Sequence, residues 1–362
     1  MLFDPLEIRG IVLRNRIMVS PMCQYSYQDG FSSDWQLVHL GSRAVGGAGI
    51  VMVEATAVEA RGRITPQDLG IWKDEHIPNL KRVAEFIEAQ GAVPGIQLAH
   101  AGRKASIFRP WDKRKGACDE KDGGWKPVVA PSALPFAGNY PLPEALSIEG
   151  IGAVRESFVK AAGRALKAGF RIAEIHCAHG YLLHEFLSPI ANRRADIYGG
   201  SFENRARFPL EVVRAVRQAW PAQLPVFVRI SATDWMEPQG WDPEQSVMFA
   251  RLLKEEGVDL VDCSSGGMVP DARIPAGPGY QVQFSEQIHK EAEILTGAVG
   301  IITQAAQAET ILASGQADLI VIARQFLRDP YWPLRAAQEL KKEVKWPCPY
   351  HLASPDPENC GE

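Results

Sequence analysis

Eight short apolar runs, each followed by a segment with helical spacing, constrain the fold of this chain more than any other feature. The runs are Ile17–Ser20, Gly49–Val53, Pro94–Leu98, Arg171–His176, Val226–Ile230, Leu260–Cys263, Ala298–Ile302 and Ala317–Ile322. They are continuous rather than alternating, as expected of strands covered on both faces. The segments Trp35–Val45, His76–Gln90, Ile151–Ala168, Arg205–Trp220, Pro243–Glu256, Phe284–Leu295, Ala305–Ser314 and Trp332–Leu340 read as helices. Gly91, Gly169, Gly257 and Gly315 stand where a chain leaving a helix turns left-handed. Eight β–α alternations predict an α/β fold, a (β/α)8 TIM barrel, rather than an open doubly wound sheet. An open dinucleotide-binding sheet would want GxGxxG after an early strand, and the sequence has none.

The rhythm breaks once, after the third strand, between Ala101 and Gly150, where Pro110, Pro127, Pro131, Pro135, Pro141 and Pro143 fall. A stretch of this length is expected to pass over one barrel mouth. Asp4–Asn15 is expected to close the other end. Residues 1–345 then form the barrel unit, and 346–362 a proline-rich tail at a subunit interface, with its last residues disordered.

A net charge of −4 gives no general attraction to nucleic acid or to an anionic membrane. No stretch of about 18 apolar residues occurs, and Met1-Leu2-Phe3-Asp4-Pro5 lacks the basic and apolar regions of a signal peptide. The expected location is therefore the cytoplasm. The six cysteines are scattered without a CxxC pair, which argues against a disulfide framework or a cysteine metal knuckle.

Barrels of this kind do their chemistry at the C-terminal ends of the strands. Those ends carry Ser20-Pro21-Met22-Cys23, Glu54-Ala55-Thr56, Gln97 with His100, His176 with His179, Arg229, Ser264, Gly300 and Arg324. Gln97 and Arg229 bring several donors into an apolar setting, so they must pair with each other, with Glu54, or with something polar held at the mouth. The run His176-Cys177-Ala178-His179-Gly180-Tyr181 is the densest cluster. Two imidazoles and a phenol just past a strand could clamp a carbonyl oxygen and protonate the adjacent carbon, or they could hold a metal. Gly300 and Arg324 follow the seventh and eighth strands, where barrels commonly hold a phosphate on glycine amides and a forked guanidinium.

Taken together, these residues resemble the Old Yellow Enzyme family of flavin-dependent ene-reductases, in its thermophilic-like bacterial subgroup, over about residues 3–340. The resemblance is carried by Asn15-Arg16-Ile17 through Ser20-Pro21-Met22-Cys23-Gln24-Tyr25, by Glu54-Ala55-Thr56-Ala57-Val58 and by Gly95-Ile96-Gln97-Leu98-Ala99-His100-Ala101-Gly102-Arg103-Lys104. His176–Leu182 and Tyr198-Gly199-Gly200-Ser201-Phe202-Glu203-Asn204-Arg205 complete it.

The resemblance implies non-covalent FMN at the barrel mouth. Ser20, Pro21, Met22, Ala55 and Gln97 would line its ring system, with Arg229 beside the N1/C2 carbonyl edge. Ser264, Gly300, Ala323 and Arg324 would meet the ribityl chain and phosphate. Cys23 would sit near N5 and O4 and tune the flavin. NADPH, with NADH as a possible substitute, would supply hydride. His176 and His179 would then hold the oxygen of an activated alkene, quinone or nitro compound, Tyr181 would protonate the α-carbon, and Tyr25 would touch the substrate. A homodimer or dimer-based tetramer is implied.

The sequence departs from the subgroup at three places. Ala323 replaces a usual glycine, and Leu352 stands where an arginine often reaches into a neighbouring subunit, leaving Trp346 or Tyr350 to cross an interface. The Ile107–Leu146 excursion is longer than in the shortest members and brings Trp111 and Trp125 to the rim. The rival reading is a metal-dependent barrel hydrolase that adds Glu54 and His100 to the His176/His179 pair.

Overall fold

The computed structural model describes residues 1–355 and 360–361. Eight parallel strands close into a barrel in chain order: β1 (Ile17–Val19), β2 (Ile50–Ala57), β3 (Val93–Ala99), β4 (Ile172–Cys177), β5 (Val226–Ser231), β6 (Leu260–Ser264), β7 (Leu295–Ala298) and β8 (Leu319–Ile322). Nearly every strand residue is buried, which is why the runs read as continuous in the sequence. The helices between them are α1 (Asp34–Val45), α2 (Ile77–Ala89), α3 (Ile148–Lys167), α4 (Phe202–Ala219), α5 (Pro243–Glu255), α6 (Val282–Ala292), α7 (Ala305–Ala313) and, after β8, α8 (Trp332–Glu339).

Their ends follow local chemistry. Ser147, Ser201 and Asp242 cap α3, α4 and α5 by accepting from the amides of Gly150, Asn204 and Gln245. Gly91, Gly169, Gly257 and Gly315 all take positive φ just past a helix, as expected.

The seventh strand is a correction. It runs over Leu295–Ala298 rather than Ala298–Ile302, and the helix expected over Phe284–Leu295 stops at Ala292. Glu293 turns left-handed (φ 50°) and releases the chain into the strand early; Gly300 (φ 130°) and Ile301 (φ 52°) cannot continue an extended run. Gly297 belongs in the strand because a Cβ there would lie 2.9 Å from Val321 Cγ2 on β8.

The excursion after β3 lies over the C-terminal mouth. Ile107 N–H donates to Ile64 O, Trp125 Nε1 to Arg61 O, and Arg194 Nη1 reaches back to Pro131 O and Leu146 O. The hairpin Leu6–Ile8 with Ile11–Leu13 closes the opposite end, where Arg9 donates to Ala222 O and Gly257 O and pairs with Asp259. In the tail, Trp346–Pro347 pairs with Cys360–Gly361, and the expected disorder of 356–359 and 362 falls outside the described residues. Among the described residues no helix is long and apolar enough to cross a membrane.

Candidate active site

A polar belt crosses four adjacent strands at the C-terminal mouth. Ladder register sets Gln97 beside Glu174, His176 beside Arg229, and Arg229 beside Asp262. Gln97 Nε2 donates to Glu174 Oε1 at 2.8 Å. Arg229 pairs through Nε with Asp262 Oδ2 at 3.2 Å and donates from Nη1 to Ser20 Oγ at 3.0 Å. Gln97 and Arg229 therefore pair neither with each other nor with Glu54. Their partners Glu174 and Asp262 escaped the sequence reading, although an acid inside Ala173-Glu174-Ile175 or Val261-Asp262-Cys263 was the available signal. Burial raises both carboxyls, while Arg229 between them pulls the other way.

The histidines and tyrosine converge next to this belt. His176, next to last on β4, is buried, and its ring centroid is 5.2 Å from those of both His179 and Tyr181. His179 is left-handed (φ 57°), its amide donates to Ser231 Oγ, and its Nε2 lies 2.7 Å from Ser264 Oγ. Burial and the Arg229 charge hold both imidazoles far below the usual histidine range, so they are neutral and each carries one N–H donor. His176 Nδ1 is buried without a partner among the described residues. Burial raises the Tyr181 phenol, so it keeps its proton at neutral pH.

Opposite stands the loop after β1. Pro21 and Met22 follow the buried Ser20, and Met22 packs against the main core. Cys23, Tyr25 and Tyr181 pack together against Ile64, Ala101, Ala105 and Val128, which makes a small apolar alcove at the mouth. Trp111 meets Tyr25 edge-on, with ring centroids 5.7 Å apart. Burial raises the Cys23 thiol, so it stays protonated. Glu54 anchors this loop by accepting from the Gln24 amide at 2.7 Å and from the Tyr27 hydroxyl. Ala55 follows it, buried on β2. His100 turns instead to Glu59, 2.8 Å away.

The third part lies beyond β7 and β8. Gly300 adopts φ 130°, a conformation that favours glycine, and its carbonyl accepts from Gly279 N–H. Ala323 has a negative φ of −104°, so its side chain is accommodated where glycine was the expected residue. Arg324 begins the short helix Arg324–Arg328 with its side chain exposed, and its guanidinium has no hydrogen bond or ion pair among the described residues. A separate cavity of about 810 Å³ sits at the other end of the barrel, lined by Arg14, Gly47, Gln90 and residues 343–349. It lies far from the histidine cluster and is not the site.

The mouth thus gathers neutral imidazole donors, a protonated phenol and a buried guanidinium. Residues 1–343 match the NADH:flavin oxidoreductase / NADH oxidase family, so the chain belongs to that family. It is 50% identical over 342 residues to an NADPH dehydrogenase of Geobacillus sp. (strain WCH70), covering 94% of each chain. It is 47% identical to an NADPH dehydrogenase of Bacillus subtilis (strain 168), covering 96% of this chain and 98% of the other. Among solved structures it resembles morphinone reductase (TM-score 0.78, 29% identity, 95% and 90% covered). A Zymomonas mobilis Old Yellow Enzyme homologue gives TM-score 0.78 at 27% identity, with 93% and 92% covered. Against a 2-naphthoyl-CoA reductase the TM-score is 0.84 at 25% identity, and the chain spans about half of that protein, 52%.

The protein is thus an enzyme, a flavin-dependent oxidoreductase of the Old Yellow Enzyme type. The metal-hydrolase reading is overturned. Family membership excludes it, and Glu54 and His100 are engaged with Tyr27, Gln24 and Glu59 rather than turned to the histidine pair.

Proposed function

We propose that the protein is an FMN-dependent NADPH dehydrogenase that reduces the activated double bond of α,β-unsaturated carbonyl and nitro compounds, and also quinones. FMN held non-covalently would take hydride from NADPH, or from NADH, and pass it to the β-carbon. The names of the relatives support NADPH as donor. The residues present fit FMN. Among the described residues His176 Nδ1 has no hydrogen-bond partner and the Arg324 guanidinium none either; the first, with the Ser20–Arg229–Asp262 chain, suits a polar ring edge, and the second, with Gly300, suits a phosphate. Ser20, Pro21, Met22, Cys23, Ala55, Gln97 and Arg229 would hold the ring system; Ser264, Gly300, Ala323 and Arg324 would hold the ribityl phosphate.

The observation that carries the reading is the cluster of His176, His179 and Tyr181 facing the Cys23–Tyr25 alcove. Neutral imidazoles donate to the substrate oxygen and withdraw electron density from the conjugated carbons without charge of their own. Tyr181, protonated at working pH, delivers its phenolic proton to the α-carbon. Tyr25, with Trp111 behind it, packs against the hydrocarbon part, and burial of the alcove keeps water from competing for the proton. Exposed Trp35 and Val38 on α1 support assembly into a homodimer or dimer-based tetramer.

Tyr181→Phe tests the reading. Oxidation of the NADPH-reduced enzyme by 2-cyclohexenone should slow by about 10² or more, the usual worth of a positioned acid. Reduction by NADPH should hardly change. Equal slowing of both would contradict the proton-donor role.

A further inference from the structure

Three loops meet behind the His179–Tyr181 turn, and Lys104 joins them. It lies in the turn Gly102–Lys104 after β3, and its Nζ donates to His179 O at 2.7 Å and to Gly267 O at 2.5 Å. Gly267 belongs to the loop after β6. Beside it, Arg103 Nη2 donates to Met268 O at 2.7 Å, and the Arg103 amide donates to Glu185 Oε1 at 2.8 Å. The β3 loop therefore grips the loops after β4 and β6 through consecutive residues.

The gripped loops touch backbone to backbone. A Cβ on Gly267 would lie 2.7 Å from His179 Cα, and one on Gly180 would lie 2.2 Å from Gly267 O. His179 is left-handed at φ 57°, a conformation a non-glycine residue keeps only where its surroundings fix it. Its nitrogen also lies 5.3 Å from the Tyr181 ring centroid and 4.2 Å from that of Phe136, which comes from the excursion over the mouth, while burial lowers the Lys104 ammonium to about 7. The Lys104 amine nitrogen thus contacts the backbone of one substrate-binding histidine and the ring of the proton donor. The flavin chemistry described above gives Lys104 no role.

We propose that Lys104 is a positioning residue for the proton-transfer step: its two carbonyl bonds fix the His179–Gly180–Tyr181 turn against the Gly267 loop, and its amine group packs against the Tyr181 ring. The inference rests on Tyr181 being the proton donor. A lysine suits the task because its amine, charged or neutral, supplies at least two donors at the end of a long stem, one for each carbonyl.

Lys104→Met keeps the stem volume and removes the donors, and Lys104→Arg restores them. K104M should slow oxidation of the reduced enzyme by 2-cyclohexenone by about tenfold or more, about 1.4 kcal/mol. Reduction by NADPH should stay within about twofold, and K104R should regain part of the loss. In FMN-free protein, the amides of Gly180 and Tyr181 should exchange hydrogen about tenfold faster in K104M. Should K104M not fold, Lys104→Gln, with one shorter donor group, replaces it in the same assays. Unchanged amide exchange at Gly180 and Tyr181, or equal slowing of both half-reactions, overturns the proposal. Tyr181→Phe is run alongside: if it leaves oxidation by the enone unaltered, the proton-donor reading fails, and amide exchange alone then decides whether Lys104 fixes the turn.

Discussion

Glu54 gives the sharpest quantitative prediction. It is buried at 3% exposure, and desolvation lifts its carboxyl from 4.5 to about 8 despite bonds from Tyr27 and Gln24. In the unfolded chain the same group ionises near the ordinary glutamate value of 4.5. Between those values the folded state holds a proton the unfolded state has released, so stability falls as pH rises through the window and levels off above it. At about 1.36 kcal/mol per pH unit the loss reaches up to roughly 5 kcal/mol. Glu54→Gln removes it, because the amide copies the protonated acid: its oxygen accepts from Gln24 N–H and its NH2 donates to the Tyr27 oxygen. Unfolding free energies from urea titration of both proteins, in the same cofactor state, should nearly coincide at about pH 5 and separate by several kcal/mol in favour of the variant at about pH 9. Parallel curves across that range, or a gap of the opposite sign, would refute the reasoning.

Three further outcomes follow from the site. His179→Ala should weaken binding of phenols and enones by about tenfold, the worth of one lost hydrogen bond, while FMN stays bound; release of FMN would count against the assignment. Arg324→Ala should raise the FMN dissociation constant by about tenfold or more, read by fluorescence titration of the cofactor-free protein, and an unchanged constant would remove Arg324 from the phosphate corner. Because both imidazoles are held neutral, enone affinity should stay flat from about pH 5 to about pH 8. A step near the ordinary histidine value would show that one of them titrates.

Much of this molecule was legible in the order of its residues, and what was hidden has a physical cause. Seven barrel strands announced themselves as continuous apolar runs because both of their faces are covered. The seventh did not, because Leu295-Thr296-Gly297-Ala298 trades side-chain bulk for close approach to β8, while the more apolar Val299–Ile302 bends. The histidines, Tyr181, Cys23 and Arg229 could be found from strand ends alone. Glu174 and Asp262 could not be paired with Gln97 and Arg229 without the ladder register, which no local pattern contains. Lys104 was equally opaque: it acts on main-chain carbonyls 75 and 163 residues away, and carbonyls have no sequence signature.

The central claim is that one flavin site takes hydride from NADPH and returns it to an activated alkene. An anaerobic absorbance trace of the purified protein tests it most directly, with NADPH added first and 2-cyclohexenone second. The account predicts a yellow protein whose flavin band bleaches with NADPH and recovers with the enone. A protein that stays colourless after incubation with FMN, or whose bleached band does not recover with the enone, would contradict it.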